Sequence, residues 1–381
     1  VKAILVDDEP LALIGLQKAL ESEISDIDIP AAYSNPKEAI AGALAHRPDV
    51  VFLDIHMPEV DGLKLGRQLQ AVVPGVEIVF VTSYDQYAVR AFELYALDYI
   101  MKPIQMKRLN KTILRIREKL DFKQSLEQKE TNSPLICCFN HIRFKLPGMS
   151  PQMVKWRTSR AQELFIYLLH HRARTINRSV LLEMLWPDAE ETKAVQSLYT
   201  TIYHIRQSLK TYKMDMISVD SGGEEAGYRL DIGEARVDAD VWEYELKQLG
   251  IVDASTVDDY ERVLSMYEGE YLRHYEYIWA EHERERLRLL WLYHMNMVSE
   301  FYVKEAMLDK AVQVNRQIQL MSPDEEDSYF SMMKLYHAMD NKPAVEEQYA
   351  LLKAKVEGEL ELPVSDHIAG WYEHWRSLAY R

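Results

Sequence analysis

Cysteine is nearly missing from this chain: Cys137 and Cys138 are the only two in 381 residues. Neighbours on a strand point to opposite faces, so the two thiols are not placed to bridge each other. A disulfide framework is thereby excluded, as suits a reducing compartment. Glycine is also sparse, at 14 residues. Neither a glycine-rich phosphate loop nor a nucleophile elbow occurs, so an enzyme is not expected. No apolar run approaches the roughly 18 residues of a membrane span. No basic-then-apolar leader opens the sequence, and the expectation is a cytoplasmic protein without a membrane partner. Positive charge is in deficit overall, with a net charge of −15.

That deficit is unevenly spread. Residues 1–140 carry a net −4, residues 141–213 a net +7 and residues 214–381 a net −18. One basic stretch therefore lies between two acidic ones. Local charge rather than the total sets the field that a polyanion meets. The length calls for two to four domains.

Residues 48–62 read PDVVFLDIHMPEVDG. Val50, Val51, Phe52 and Leu53 form a near-continuous apolar run, the mark of a strand buried on both faces of a parallel sheet. Asp54 follows at once. An ionised carboxylate inside such a strand costs several kcal/mol unless it is paired or binds a cation. Position resolves the conflict, because Met57-Pro58 and Asp61-Gly62 are turn signals that end the strand just after Asp54. AILVDDE (3–9) likewise ends in Asp7-Asp8, EIVFVTS (77–83) in Thr82, and DYIMKPI (98–104) in Lys102-Pro103. Helical patterns over 10–22, 36–47, 62–72, 85–96 and 105–120 alternate with these strands. Such alternation predicts a doubly wound, flavodoxin-like α/β domain with its ligand site at the carboxyl ends of the strands. Three carboxylates roughly 5 Å apart would repel by about 3 kcal/mol per pair at an effective dielectric near 20, so they need a cation, and Mg²⁺ suits all-oxygen ligands.

Over residues 1–120 the sequence resembles the receiver domains of two-component response regulators. The resemblance implies that Asp54 accepts a phosphoryl group from the phosphohistidine of a cognate sensor histidine kinase. Asp7, Asp8, Asp54 and the backbone carbonyl of His56 would hold Mg²⁺. Lys102 and Thr82 would bind phosphoryl oxygens, Tyr99 would be an aromatic switch, and Pro103 would follow a cis bond.

A charged linker (121–134) precedes LICCFNHIRFKL, read as short strands turning at Asn140-His141. TSRAQELFIYLLHHR has Ser159 and Gln162 at capping-box spacing. NRSVLLEMLWPD gives a second short helix, capped near Asn177 or Ser179. In TKAVQSLYTTIYHIRQSLK (192–210), Val195, Leu198, Ile202, Ile205 and Leu209 form an apolar stripe. Gln196, Ser197, Thr200, Thr201, Tyr203 and His204 fall on the other side. MISV and YRLDI then make a hairpin. This stretch, 135–235, resembles an OmpR-type winged helix-turn-helix. The resemblance implies a recognition helix over 193–210 in the major groove of double-stranded promoter DNA. Gln196, Thr200, Thr201 and His204 would read bases, with Lys193, Arg206 and Lys210 toward phosphates. The turn DSGGEEAG is acidic, which disfavours DNA contact there. Its GGEEA also resembles the loop of diguanylate cyclases, but Ala226 stands where those enzymes have an aromatic residue, and a wing turn is the reading.

From Asp238 the sequence is helical, acidic and rich in Tyr, Trp and Met. KAVQVNRQIQL (310–320) and PAVEEQYALLK (343–353) align with Ala311 and Ala344 33 residues apart, near the tetratricopeptide period. YEGEYLRHYEYIWAEHERERL (267–287) resembles the bacterial transcriptional activator domain. His274, His282 and His294 show no tight metal-ligand spacing. The whole chain thus resembles a SARP-type response regulator: an α/β receiver (1–120), a winged helix (135–235) and an all-α tetratricopeptide-like domain (238–381). That resemblance implies RNA polymerase as a further partner and leaves homodimer formation open.

Overall fold

The computed structural model describes residues 1–23, 27–58, 60–84, 96–128, 133–172, 174–221, 227–323, 325–359 and 362–379. Nearly all of the helix expected over 85–96, residues 129–132 of the expected linker, and the turn at 222–226 lie outside the described residues.

Strands β1 (Lys2–Val6), β2 (Asp28–Tyr33), β3 (Val50–Leu53), β4 (Glu77–Thr82) and β5 (Asp98–Met101) form one parallel sheet, in the order β2-β1-β3-β4-β5. Alternation along each strand builds two cores. Ala3, Leu5, Phe52 and Val79 meet Leu13, Leu16 and Leu20 of α1 (Pro10–Glu23) and Leu109, Ile113 and Ile116 of α4 (Met106–Gln128). Ile4, Val51, Leu53 and Phe80 meet Ala39 and Ala43 of α2 (Ala39–His46) and Leu63, Leu65 and Leu69 of α3 (Gly62–Val72) on the other face. With both faces covered, apolar runs are what these strands must be.

Two local devices fix the sheet's carboxyl edge. Asp61 caps α3 by accepting hydrogen bonds from the Leu63 and Lys64 amides. A Cβ on the next residue, Gly62, would stand 2.1 Å from the carbonyl oxygen of Asp54. Only glycine lets α3 start against the backbone of that aspartate. Asp98, at the start of β5, is buried and accepts from Arg108 (2.8 Å), Thr112 (2.7 Å) and Arg115 (2.9 Å), all on α4. Burial pushes its carboxyl up, but the hydrogen bonds from Arg108 and Thr112 outweigh this and hold it below the usual range. This cluster ties α4 to the strand that leads into Lys102.

The middle of the chain carries two small sheets and three helices. Strands β6 (Leu135–Cys137), β7 (Arg143–Lys145), β8 (Gln152–Met153) and β12 (Arg236–Val237) make the first, ordered β8-β7-β6-β12. Asn140 turns the β6–β7 hairpin at φ 64°. Helices α5 (Ser159–His170), α6 (Arg178–Leu185) and α7 (Glu191–Thr211) follow. Strands β9 (Ile176–Asn177), β10 (Ser218–Ser221) and β11 (Gly227–Asp231) form the second sheet, with β10 and β11 antiparallel. The expected Ser159–Gln162 capping box is not formed. Thr158 is the cap, accepting from the Ala161 amide at 3.1 Å, and Gln162 instead donates to the Tyr277 hydroxyl. Asn177 caps α6 as expected. Cys137 and Cys138 are free and buried, and burial pushes the Cys137 thiol up to about 12.

The chain forms two compact units. One compact unit takes Val1–Gly250 with Tyr267–Leu287, the other Ile251–Met266 with Arg288–Arg381. The reason lies in long-range pairing within the first unit. Asp238 opens α8 (Asp238–Gln248) and accepts from the Cys138 and Phe139 amides. Leu272 donates to the Cys138 carbonyl, Asn140 to that of Glu270, and Trp242 packs fully buried against Phe139 and Tyr267. The activator-like block at 267–287 therefore belongs with the strands at 135–145.

The second unit is helical: α9 (Val257–Ser265), the later part of α10 (Glu281–Lys304), α11 (Leu308–Met321), α12 (Glu326–Ala338), α13 (Lys342–Lys353) and α14 (Asp366–Ala379). The buried set Ala311, Val314 and Ile318 of α11 recurs as Val345, Gln348 and Leu352 of α13, each 34 residues on. The register by burial is thus 34, not the 33 expected from matching Ala311 to Ala344. No described helix is long and apolar enough to cross a membrane.

A prediction follows from the Asp98 cluster. A group held below its ordinary pKa contributes stability that is present above the unfolded-state value and lost as pH falls through the folded one. Asp98→Asn should therefore lower receiver stability by about 1–3 kcal/mol at pH 7, through loss of the charged hydrogen bonds that the buried carboxylate accepts from α4. The loss relative to wild type should shrink as pH falls below about 4. Urea unfolding followed across pH checks both.

Candidate functional site

The order of the strands brings Asp7 and Asp8 after β1, Asp54 after β3, Thr82 at the end of β4 and Lys102 after β5 to one edge. The Asp54 amide donates to the Val6 carbonyl at 2.9 Å, and the Lys102 amide to the Thr82 carbonyl at 2.8 Å, so backbone pairing sets the spacing. Lys102 Nζ stands 2.7 Å from Asp7 Oδ2 and 2.8 Å from Asp54 Oδ2. The other oxygen of Asp54 accepts from the Ile55 amide at 2.7 Å and the His56 amide at 3.3 Å. Asp7 Oδ1 accepts from the Glu9 amide.

Both carboxylates are buried, while Asp8 is half-buried. Burial pushes the Asp7 carboxyl above its usual range, against the hydrogen bond from Lys102. Burial opposes charge on Lys102 too, but its bonds to Asp54 and Asp7 hold the ammonium above its ordinary value. Asp7, Asp8 and Asp54 each offer an oxygen, and these oxygens lie within 4.8 Å of one another. Hard oxygen donors around a net negative pocket fit a small divalent cation such as Mg²⁺.

Thr82 is fully buried and its hydroxyl has no hydrogen-bond partner among the described residues. A buried hydroxyl left unpaired costs about 1–3 kcal/mol, and at a site edge it is a ready partner for an arriving oxygen. Tyr99 is half-buried, with its hydroxyl donating to the Tyr84 carbonyl. The His56 and Tyr84 rings lie 4.6 Å apart beside the acids. The Lys102–Pro103 bond is cis, as the resemblance implies.

The second candidate surface is α7. Leu198, Ile202, Ile205 and Leu209 are buried, as their spacing predicts, and Val195 is half-buried. Thr201 is only 5% exposed, at the floor of the groove that α7 lines. Its place three residues after Leu198 puts it on the flank of the apolar stripe. Arg206 is exposed and tied to the neighbouring strand. Its guanidinium donates to the Val219 carbonyl at 2.7 Å, bracing α7 against β10. Gln196 and Thr200 are exposed, and His204 is half-buried. Lys193 is exposed and pairs with Glu190 at 3.2 Å, while Lys210 is exposed on the last turn. A groove of about 520 Å³ is lined by Lys193, Gln196, Thr200, Thr201 and His204 together with Arg160 and Trp186. Sequence reasoning missed Arg160 and Trp186, which come from other helices. It also missed Tyr199, 52% exposed beside Tyr203 at 57%; the four-residue spacing of these two tyrosines was the available signal.

Residues 3–114 match the response regulator receiver domain family. The chain is 41% identical over 152 residues to the transcriptional regulatory protein BtsR of Salmonella typhi, covering 39% of this chain and 62% of that protein. It thus spans less than two thirds of that relative. It is 33% identical over 215 residues to a response regulatory protein of Vibrio cholerae, covering 55% of this chain and 75% of that one. Among solved structures, the receiver domain of AraT, a response regulator from Geobacillus stearothermophilus, matches at 32% identity, with a TM-score of 0.31 and coverage of 32% of this chain and 97% of that one. Receiver match and Vibrio relative together give the conclusion that this chain belongs to the two-component response regulators.

Proposed function

We propose that this regulator is a DNA-binding transcription factor switched by phosphorylation of Asp54. The observation that carries the reading is the convergence of the Asp54 carboxylate, the Lys102 ammonium and the buried Thr82 hydroxyl beside two further acids. An Asp54 oxygen attacks the phosphorus of a sensor kinase's phosphohistidine. The new O–P bond forms as the N–P bond breaks, and the imidazole leaves. Asp7, Asp8, Asp54 and the His56 carbonyl would hold Mg²⁺, which would supply charge neutralisation for the transferring group. Lys102 exchanges its pairing with Asp54 for a phosphoryl oxygen, and Thr82 donates to another. Tyr99 turns inward as Thr82 moves.

The output is binding rather than catalysis. In this reading the segment 135–235 is a winged helix-turn-helix and α7 enters the major groove, presenting Gln196, Thr200, Tyr203 and His204 to bases. Lys193, Lys210 and Arg160 lie toward phosphates. The net +7 of residues 141–213 supports this. The 34-residue recurrence supports a tetratricopeptide-like partner surface of the SARP type, with RNA polymerase as its occupant. Dimerisation of the phosphorylated receiver is compatible with it.

Two experiments test the reading. Incubation with a small phosphodonor and Mg²⁺ should label Asp54, and Asp54→Ala should abolish the label, as read by mass spectrometry. Equal labelling of the variant would sink the assignment. For DNA, Thr201→Val should leave sequence preference unchanged, whereas Gln196→Ala or Tyr203→Ala should alter it at one position, at about 1–3 kcal/mol for the lost base contact. Arg206→Ala should weaken binding to all sequences by loosening the brace to β10. Parallel binding to a randomised duplex pool reads out all four.

A further inference from the structure

Asp7, Asp8 and Asp54 offer a cation side-chain oxygens, which can rotate to meet it. The His56 carbonyl belongs to the backbone. No rotamer adjusts it, so the path of residues 54–62 alone decides where it stands. That path is pinned at both ends. Asp54 Oδ1 accepts from the Ile55 and His56 amides at 2.7 and 3.3 Å. The Ile55 carbonyl accepts from the Gly62 amide at 2.9 Å. Between these points the chain folds back on itself, with His56 opposite Asp61 and Met57 opposite Val60 in an antiparallel ladder.

So short a ladder does not hold itself in water. Asp61 supplies the anchor. Its backbone is extended, at φ −76° and ψ 113°, as pairing with His56 requires. Its side chain meanwhile accepts from the Leu63 amide at 2.9 Å and the Lys64 amide at 3.4 Å, in the first turn of α3. Helix α3 is seated on the core by Leu63, Leu65 and Leu69. Core, helix, cap and ladder thus run in series to His56. Asp61 is itself exposed, and among the described residues the oxygen cluster holds Asp7, Asp8 and Asp54 but not Asp61. Losing the cap leaves α3 on its core; what loosens is the ladder on the far side of the cap.

We propose that Asp61 is a positioning residue for the divalent cation: its side chain caps α3 while its backbone faces His56, and the two together fix the His56 carbonyl beside the oxygens of Asp7, Asp8 and Asp54. The proposal rests on the functional reading of that site. Capping rather than charge is the property at work, so asparagine and serine should replace Asp61 where alanine does not.

The test is a Mg²⁺ titration of the full chain followed by nuclear magnetic resonance. With carbonyl-¹³C histidine and ¹⁵N methionine, the signals come from His56 and His294, the histidines that precede a methionine. In the wild type Mg²⁺ should move the His56 signal and leave His294 still. Asp61→Ala should weaken Mg²⁺ binding by about tenfold, the lower end of what losing the outer partner of a metal ligand does. Labelling of Asp54 by the phosphodonor should recover in that variant at about tenfold higher Mg²⁺. Asp61→Asn and Asp61→Ser should stay within about twofold of the wild type. Ile116→Val, in the core on the other face of the sheet, controls for lost stability and should leave the affinity unchanged. Thermal unfolding checks each fold, and Asp61→Gly serves if Asp61→Ala does not fold. Wild-type affinity in a folded Asp61→Ala would overturn the proposal, as would an equal loss in the alanine, asparagine and serine variants. A wild type that takes Mg²⁺ with the His56 signal unmoved overturns it too, and leaves the Asp54 chemistry standing. If the wild type takes no Mg²⁺, the proposal and the functional reading fall together.

Discussion

Two buried carboxylates on neighbouring strand ends repel each other, and the ammonium of Lys102 stands between them at 2.7 and 2.8 Å. Much of the receiver serves that pairing. Strand β5 must run beside β4 to deliver the lysine. The Asp98 cluster holds β5 against α4, and the absence of a side chain at Gly62 lets α3 start on the backbone of Asp54. One ammonium cannot offset three carboxylates, so the pocket keeps a deficit that a divalent cation and a phosphoryl group can share.

Much of this was legible in the sequence. Apolar runs ending in Asp7-Asp8, Asp54, Thr82 and Lys102 announce a parallel sheet with its chemistry at one edge, because a strand covered on both faces has no other use for charge. The stripe on α7 was legible for a similar reason. The rest is finer than a period can resolve. Thr201 lies on the flank of the stripe, where burial depends on neighbours contributed by other elements. Thr158 and Ser159 are both good caps, and only the backbone chooses between them. The bonds from 138–140 to 238 and 270–274 are long-range and leave no mark in local composition, so the compact units could not be read from the sequence. Matching alanine to alanine gave a repeat of 33, whereas burial gives 34.

Charge organises the chain at two scales. Over whole segments it separates a basic middle from acidic flanks, which sets what each can approach. At single residues it does something different. Glu243, Lys119, Lys247, Glu77 and Arg286 are balanced pair by pair, so their value lies in orientation rather than in net field. Similar side chains thus serve attraction to a polyanion in one place and registry between elements in another.

The adjacent cysteines carry a practical consequence. With both thiols buried, and Cys137 pushed up to about 12, neither supplies thiolate at neutral pH while the fold is closed. Alkylation can then proceed only through opening of the β6 edge. The native protein thus contains its own reporter of local unfolding at the seam where the strands of the middle segment meet α8 and the 267–287 block, and labelling kinetics would time that opening without an added probe.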